Sequence, residues 1–384
     1  MPVFKYEAVT AKCRCLYGKL LAPKDYDNLL KCADVSDIAV YLHDNTAYQE
    51  FLSGSDLRKI NRNKLEYYIK KSMLNDYLKM YKFTFGKERQ FINLLMGKYE
   101  LEYILKVWRK YVRGNIENNI KDNGTDGDSD YLLSEGILEI QMIYQDNPRI
   151  DIEALKNITN AGQFINAIRN SDFFYIFEKH INGDISKNYA DYTEYTKYTE
   201  IETAVYDEYY KILYDGAKIF EKETREKIQD SIGTYADLVN LCRISRMMFN
   251  FKAKPEEILP LMTPLRKKLR SDNINALFQT GDRKNFLDYC QSNLPSYGEK
   301  QSFYDYDSMS SYMNSFLYKY YKSKIKLSSS GFDVIVRYFR IKEFEIMNLF
   351  YLTEGVRYKM PPDYIRKNIY GLDYDLENSQ RGIV

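Results

Sequence analysis

A short pattern that occurs three times constrains this chain more than any other feature. Residues 20 to 52, LLAPKDYDNLLKCADVSDIAVYLHDNTAYQEFL, have the spacing of an amphipathic helix, a polar turn and a second helix. Residues 151 to 178 align on Asp25 onward without gaps: Leu29 meets Leu155, Ile38 meets Phe164, Leu42 meets Ile168, Tyr48 meets Phe174 and Phe51 meets Phe177. A third copy begins at Leu269 and sets Ile274, Leu277 and Phe286 on Tyr26, Leu29 and Ile38. The polar turn recurs too, with Asp34, Asn160 and Asp282 at matching places. A side-chain oxygen there can accept hydrogen bonds from the free N–H groups that open the second helix.

A second element recurs out of phase with the first. In YELEYILKVWRKYV (99 to 112) Glu100 precedes Arg109 by nine residues. In YADLVNLCRISRMMFNF (235 to 251) Asp237 precedes Asn240 by three and Arg246 by nine, and in KEFEIMNLFYLTEG (342 to 355) Glu345 precedes Asn348 by three. Residues three apart share a helix face, so acid and amide can bond side to side or tie the helix to a neighbour. The third copy has Glu354 where an arginine would stand. KPEEILPLM (254 to 262) and MPPDYIRKNI (360 to 369) follow the later copies and resemble APKDYDNLL (22 to 30); proline with acids beside it is a helix-start signal. Long helical stretches rich in Tyr, Lys and Glu (56 to 97, 184 to 233, 303 to 341) separate the copies. The fold class is all-α, in lobes too widely spaced for a solenoid of small repeats.

Composition narrows the function by exclusion. With 56 Lys+Arg against 54 Asp+Glu the chain is nearly neutral and has no global field for nucleic acid or an anionic membrane. Two local basic clusters, LRKKLR (265 to 270) and KYYKSKIK (319 to 326), are weighed against that balance and read as solvated or docked helix faces. Five cysteines suit reduced thiols in a cytoplasmic protein, and the Cys13–Cys15 pair lacks partners for a zinc motif. No signal peptide or membrane span is expected. The polar segment 113 to 136 reads as an exposed insertion, and its DNGTDGDSD core puts Gly124 at a place a calcium loop reserves for a ligand. No phosphate-cradling loop and no GxGxxG, HExxH or GxSxG motif occurs, and His43 and His180 read as surface or capping residues. The 38 tyrosines suit helix-against-helix packing, with rings buried and hydroxyls wet.

Taken in order, AKCRCLYGKLL, DYDNLL, the acid-to-arginine helix at 237 to 246, FKAKPEEILPLM and the closing RIKEFEIMNLFYLTEGVRYKMPPDYIRKNI resemble the C subunit of V-type and A-type rotary ATPases. That family includes the eukaryotic d subunit; the wording here is nearer the bacterial and archaeal branch. The insertion at 113 to 136 and the cysteines at 13 and 15 depart from it. The resemblance implies three similar helical subdomains around a pseudo-threefold axis, forming a funnel-shaped socket: 1–97, 98–233 with the insertion, and 234–384. It implies a non-catalytic rotor subunit of the central stalk, peripheral on the cytoplasmic face of the membrane. Such a subunit joins the shaft to the proteolipid ring for ATP-driven ion or proton transport, or for ATP synthesis. Catalytic, cofactor-binding and metal residues are then none, no cofactor is needed, and neither nucleic acid nor a small-molecule substrate is a partner. On this basis helices 99–112, 235–250 and 342–357 build the socket, with Asn240 and Arg246 holding it together. The alternative is a cytosolic helical scaffold binding peptides or nucleic acid.

Overall fold

The computed structural model describes residues 6–117, 149–182, 194–294, 297, 308–327 and 331–372, and every regular element among them is helical. The first half supplies α1 (Glu7–Tyr17), α2 (Pro23–Leu29), α3 (Val35–Asn45), α4 (Gln49–Leu52), α5 (Arg62–Phe83) and α6 (Gly86–Glu117). Then come α7 (Ile152–Lys156), α8 (Ala161–Ala167), α9 (Phe174–Asn182) and α10 (Glu194–Gly216). The rest holds α11 (Lys222–Phe249), α12 (Pro255–Ile258), α13 (Ser271–Phe278), α14 (Arg283–Asn293), α15 (Met309–Leu327), α16 (Asp333–Arg357) and α17 (Pro362–Lys367). Residues 113–117, expected to open the polar insertion, continue α6 instead; from 118 onward the insertion and its calcium-like core lie outside the described residues.

The repeated pattern forms three helix pairs, α2–α3, α7–α8 and α13–α14, with one capping scheme. Asp34, Asn160 and Asp282 have extended backbones and accept from the N–H groups of Asp37, Gln163 and Asn285 at 3.0, 2.9 and 2.8 Å. The Asp37 N–H, followed by the Ser36 hydroxyl, holds the Asp34 carboxyl below its ordinary value. The aligned apolar positions are core positions in every copy: Leu29, Leu155 and Leu277, then Ile38, Phe164 and Phe286. Pro23, Pro255 and Pro362 stand in the first turns of their helices, where the missing N–H is of no consequence. Asp25 and Glu257 reach back to the Ala22 and Lys254 N–H groups, and Asn273 does the same for Arg270 in the third pair.

Two compact units share these elements. Met1–Thr84 with Ala217–Val384 make the first, and Phe85–Gly216 the second. In the first, α16 is the most deeply buried element, since residues on all its sides are covered. α5 runs antiparallel to it: Tyr77 stacks on Phe339 with centroids 3.6 Å apart, and Arg62 pairs with Glu354 at 2.5 Å. α15 opposes it on another side, where Arg337 donates to the Lys324 carbonyl and Tyr318 meets Phe344 edge-on. α15 also opposes α11, through Tyr320 to Asp230 and Cys242 to Met313. α11 and α16 therefore run the same way, and their C-terminal ends lie at one end of the unit. A left-handed lysine follows each, Lys252 (φ 56°) three residues beyond α11 and Lys359 (φ 55°) two beyond α16, conformations uncommon outside glycine and asparagine.

In the second unit α6 packs along α10, and Tyr209 donates its buried hydroxyl to the Leu95 carbonyl. Gly216 lets the end of α10 approach closely, because a Cβ there would stand 2.3 Å from Leu94 Cδ1. Trp108, Phe164 and Phe177 join α6 to α8 and α9 as one aromatic cluster.

Replacing Asp34, Asn160 or Asp282 with Ala will cost about 1 kcal/mol each, the usual worth of an N-cap. Urea midpoints of the single variants check this; three unchanged midpoints would mean the turns are held by something other than their caps.

Candidate functional site

The recurrent acids Glu100, Asp237 and Glu345 are almost completely buried, at 1%, 0% and 4% exposure. A buried carboxylate is costly unless donors converge on it, and each of these draws donors from the segments that flank one of the helix pairs. Asp237 on α11 accepts from three successive backbone N–H groups, Lys267, Lys268 and Leu269, at 3.0, 2.6 and 3.1 Å, and from the Tyr297 hydroxyl at 2.6 Å. Glu345 on α16 accepts from the Leu21 N–H at 2.6 Å, the Tyr48 hydroxyl at 2.8 Å and Lys342 Nζ at 2.7 Å. Leu21 and Leu269 begin copies one and three of the repeat at the same relative place, so two copies use the same clamp. Glu100 on α6 holds the second pair through the Ser171 hydroxyl at 2.6 Å. The acids of α6 and α11 grip the pairs that follow them in the chain. Glu345, on the last long helix, grips the first pair.

The amides form a second set of ties. Asn240 donates to the Thr263 carbonyl at 3.1 Å and accepts from the Thr263 N–H at 2.9 Å. Asn348 repeats this with Tyr370 at 3.0 and 2.8 Å. Of the two options open to an acid and an amide three apart, the structure takes the tie to a neighbouring segment. The arginine nine residues on has another setting than expected. Arg246 is exposed and lies over the Phe251 ring, 5.5 Å from its centroid; Arg109 is exposed and 3.8 Å from Glu202. Arg243 does the bridging, donating to the Leu261 carbonyl at 2.9 Å.

Tyrosine hydroxyls expected to be wet are in several cases sealed in the core. Tyr48, Tyr297 and Tyr338 are at most 2% exposed, and each donates to a buried carboxylate. Burial first, and the neighbouring carboxylate second, push all three hydroxyls far above the ordinary tyrosine value, so they remain donors. The Tyr338 partner, Asp76 of α5, accepts at 2.5 Å. Burial raises its carboxyl above the ordinary 3.8, with nearby Lys342 and Lys79 pulling the other way. Sequence alone could not find these pairs, because the partners are 60 to nearly 300 residues apart.

Other candidates are absorbed into the fold. Within LRKKLR, Lys267 bonds Thr234 and Asp230 through Nζ while its backbone serves Asp237; within KYYKSKIK, Tyr320 bonds Asp230 and Tyr321 is buried. His180 bonds the Ile176 carbonyl within its own helix. Cys13 is buried and Cys15 exposed, and all five cysteines are free thiols. Among the described residues no cluster of three His, Cys, Asp or Glu side chains could hold a metal ion, and no helix is long and apolar enough to cross a membrane.

Compared with known proteins, residues 9–368 match the family described as ATP synthase (C/AC39) subunit. No individual curated protein matches the chain.

Asn240→Ala or Asn348→Ala strands a buried N–H and a carbonyl and will cost about 2–4 kcal/mol in chemical denaturation. Arg246→Ala, at an exposed site, will stay within about 0.5 kcal/mol of wild type; equal losses at all three positions would refute this division of roles. Asp76 yields a pH prediction. Since folding raises its pKa, its contribution is full below the unfolded-state value and is lost as pH rises through the folded-state value. Asp76→Asn keeps an acceptor for Tyr338 and removes that loss. The variant will therefore gain on wild type as pH climbs above the ordinary aspartate value, and parallel stability curves would show that Asp76 does not titrate this way.

Proposed function

We propose that this chain, which belongs to the ATP synthase (C/AC39) subunit family and so is a subunit of a rotary ATPase, is the non-catalytic adaptor between the central shaft and the membrane proteolipid ring. The family match over 9–368 carries the proposal. The internal chemistry supports it: the buried carboxylates, amides and tyrosine hydroxyls are engaged in holding helices to one another, as suits a part that transmits force by shape. Transmission needs stiffness, and each clamp joins segments far apart in sequence, so one helix cannot shift without stranding buried polar groups.

In this proposal the three copies are similar subdomains, 1–97, 98–233 and 234–384, set around a pseudo-threefold axis as a funnel-shaped socket for the shaft. The chain sits peripherally on the cytoplasmic face, works in the rotor and needs no cofactor. ATP hydrolysed in the catalytic head drives ions through the ring by way of this part, or the reverse flow makes ATP.

Affinity capture from detergent-solubilised membranes tests it. The tagged full chain will recover proteolipid and shaft subunits together, and alone will hydrolyse no ATP. Recovery of peptides or nucleic acid with neither rotor component would instead favour the scaffold.

A further inference from the structure

Between α5, α16 and the start of α4, the first unit buries more acid than base. Asp76, Glu345 and Lys342 are 9%, 4% and 5% exposed, two carboxyl groups beside one ammonium. Glu345 is well supplied, with the Leu21 N–H on one oxygen and the Tyr48 hydroxyl and Lys342 on the other. Among the described residues Asp76 has the Tyr338 hydroxyl on Oδ2, which leaves Oδ1 for a further donor. Lys342 has the matching surplus. Of its three N–H bonds, one goes to Glu345 at 2.7 Å and one to the Tyr48 hydroxyl at 3.0 Å, leaving the third. Asp76 and Lys342 line a common cavity of about 20 Å³, together with Tyr48, Tyr338 and Ser72. Roughly 10–15 Å³ of such volume holds one water, provided two to four polar groups surround it. The size therefore fits a single molecule, and the lining supplies its partners: an acceptor on Asp76, a donor on Lys342 and the Ser72 oxygen. A metal cation fits less well, because Lys19, Lys79 and Lys342 all border the cavity against Asp76 and Glu50. Lys19, Glu50 and Lys79 are also more exposed than the other polar members, and the cavity reaches solvent on their side.

We infer that one water molecule sits in this cavity between Asp76 and Lys342, and that the site is a proton-exchange point at which ionisation of Asp76 loosens the hold of α16 on the first helix pair. The step is an acid dissociation. The O–H bond of the Asp76 carboxyl breaks, its electron pair stays on the carboxylate, and the water passes the proton to solvent past Lys19, Glu50 and Lys79. The new charge then competes through the water for Lys342, which also serves Glu345, the acid that holds Leu21 and Tyr48. The groups facing Asp76 set the balance: Tyr338, Lys342 and Glu345 from α16, Lys79 from α5, Tyr48 and Glu50 from the start of α4, and the Cys13 thiol from α1. Burial outweighs the two lysines and holds the Asp76 carboxyl above 3.8, so the proton is kept in acid and released as pH rises. The site is independent of the rotary assignment; with both in place, the adaptor is stiffer below the Asp76 titration than above it.

Carbon-13 NMR of the aspartate carboxyls, with Asp76→Asn to assign the signal, follows the titration. Amide hydrogen exchange at Leu21, corrected for its intrinsic pH dependence, follows the clamp. Asp76 should titrate above 3.8, and Leu21 protection should fall by about tenfold across that titration, the change that a one-unit displacement produces. In Asp76→Asn the protection should stay level over the same range. A crystal structure of the full chain should show a water within hydrogen-bonding distance of both Asp76 and Lys342 Nζ. Ala47 lines the same cavity; Ala47→Val should expel the water and raise the Asp76 titration further, since the carboxylate loses hydration. No water at this place, or one pH profile of Leu21 protection shared by wild type and Asp76→Asn, would overturn the inference. An Asp76 titration unmoved by Ala47→Val would do the same, and if that variant fails to fold, the other two measurements decide.

Discussion

A carboxylate removed from water must be surrounded by donors, and that requirement organises this protein. Glu100, Asp237 and Glu345 occur once in each recurrent long helix, and all three are buried. Asp237 alone gathers three backbone N–H groups and a tyrosine hydroxyl. Hydrophobic burial would let a helix pair settle on a long helix in several registers, because apolar contact is non-directional. A buried acid accepts only the register that brings N–H groups to it, and the alternatives leave it unpaired.

The same constraint explains why α16 returns to the first helix pair. Glu100 and Asp237 are satisfied by segments around the helix pairs downstream, whereas Glu345 turns to the first pair. Besides Lys342 of its own helix, its donors are Leu21 and Tyr48, so α16 is tied to the first pair. Asn348 then fastens the following segment at Tyr370, as Asn240 fastens Thr263. The result within the first unit is a set of long helices locked by directional bonds at their recurrent positions. That is suitable material for a rotary ATPase subunit whose proposed task is to transmit torque.

Features depending on a few neighbouring residues were legible beforehand. The caps at Asp34, Asn160 and Asp282 are local, since an N-cap reaches only two or three residues along the chain. The proline starts and the buried face of each repeat are local in the same sense. The amides of Asn240 and Asn348 stood out by their spacing, although the spacing left two possible partners. Arg246 misled for the same reason. Its position after Asp237 resembled a structural element, but it is near the end of α11 and turns to Phe251, while Arg243 reaches Leu261. Average tyrosine behaviour is a buried ring with a wet hydroxyl; the hydroxyl of Tyr338 is buried because Asp76, on another helix, accepts its hydrogen bond.

By itself the sequence determined the helical class, the three copies, their caps and the family, because all of these reside in periodicity, short-range hydrogen bonding and residue order. Only the tertiary structure decided which carboxylate holds which pair and that α16 closes on the first helix pair. Those outcomes depend on donors and acceptors meeting across long sequence separations. Which partner meets an acid is settled by packing geometry, and no local pattern encodes it.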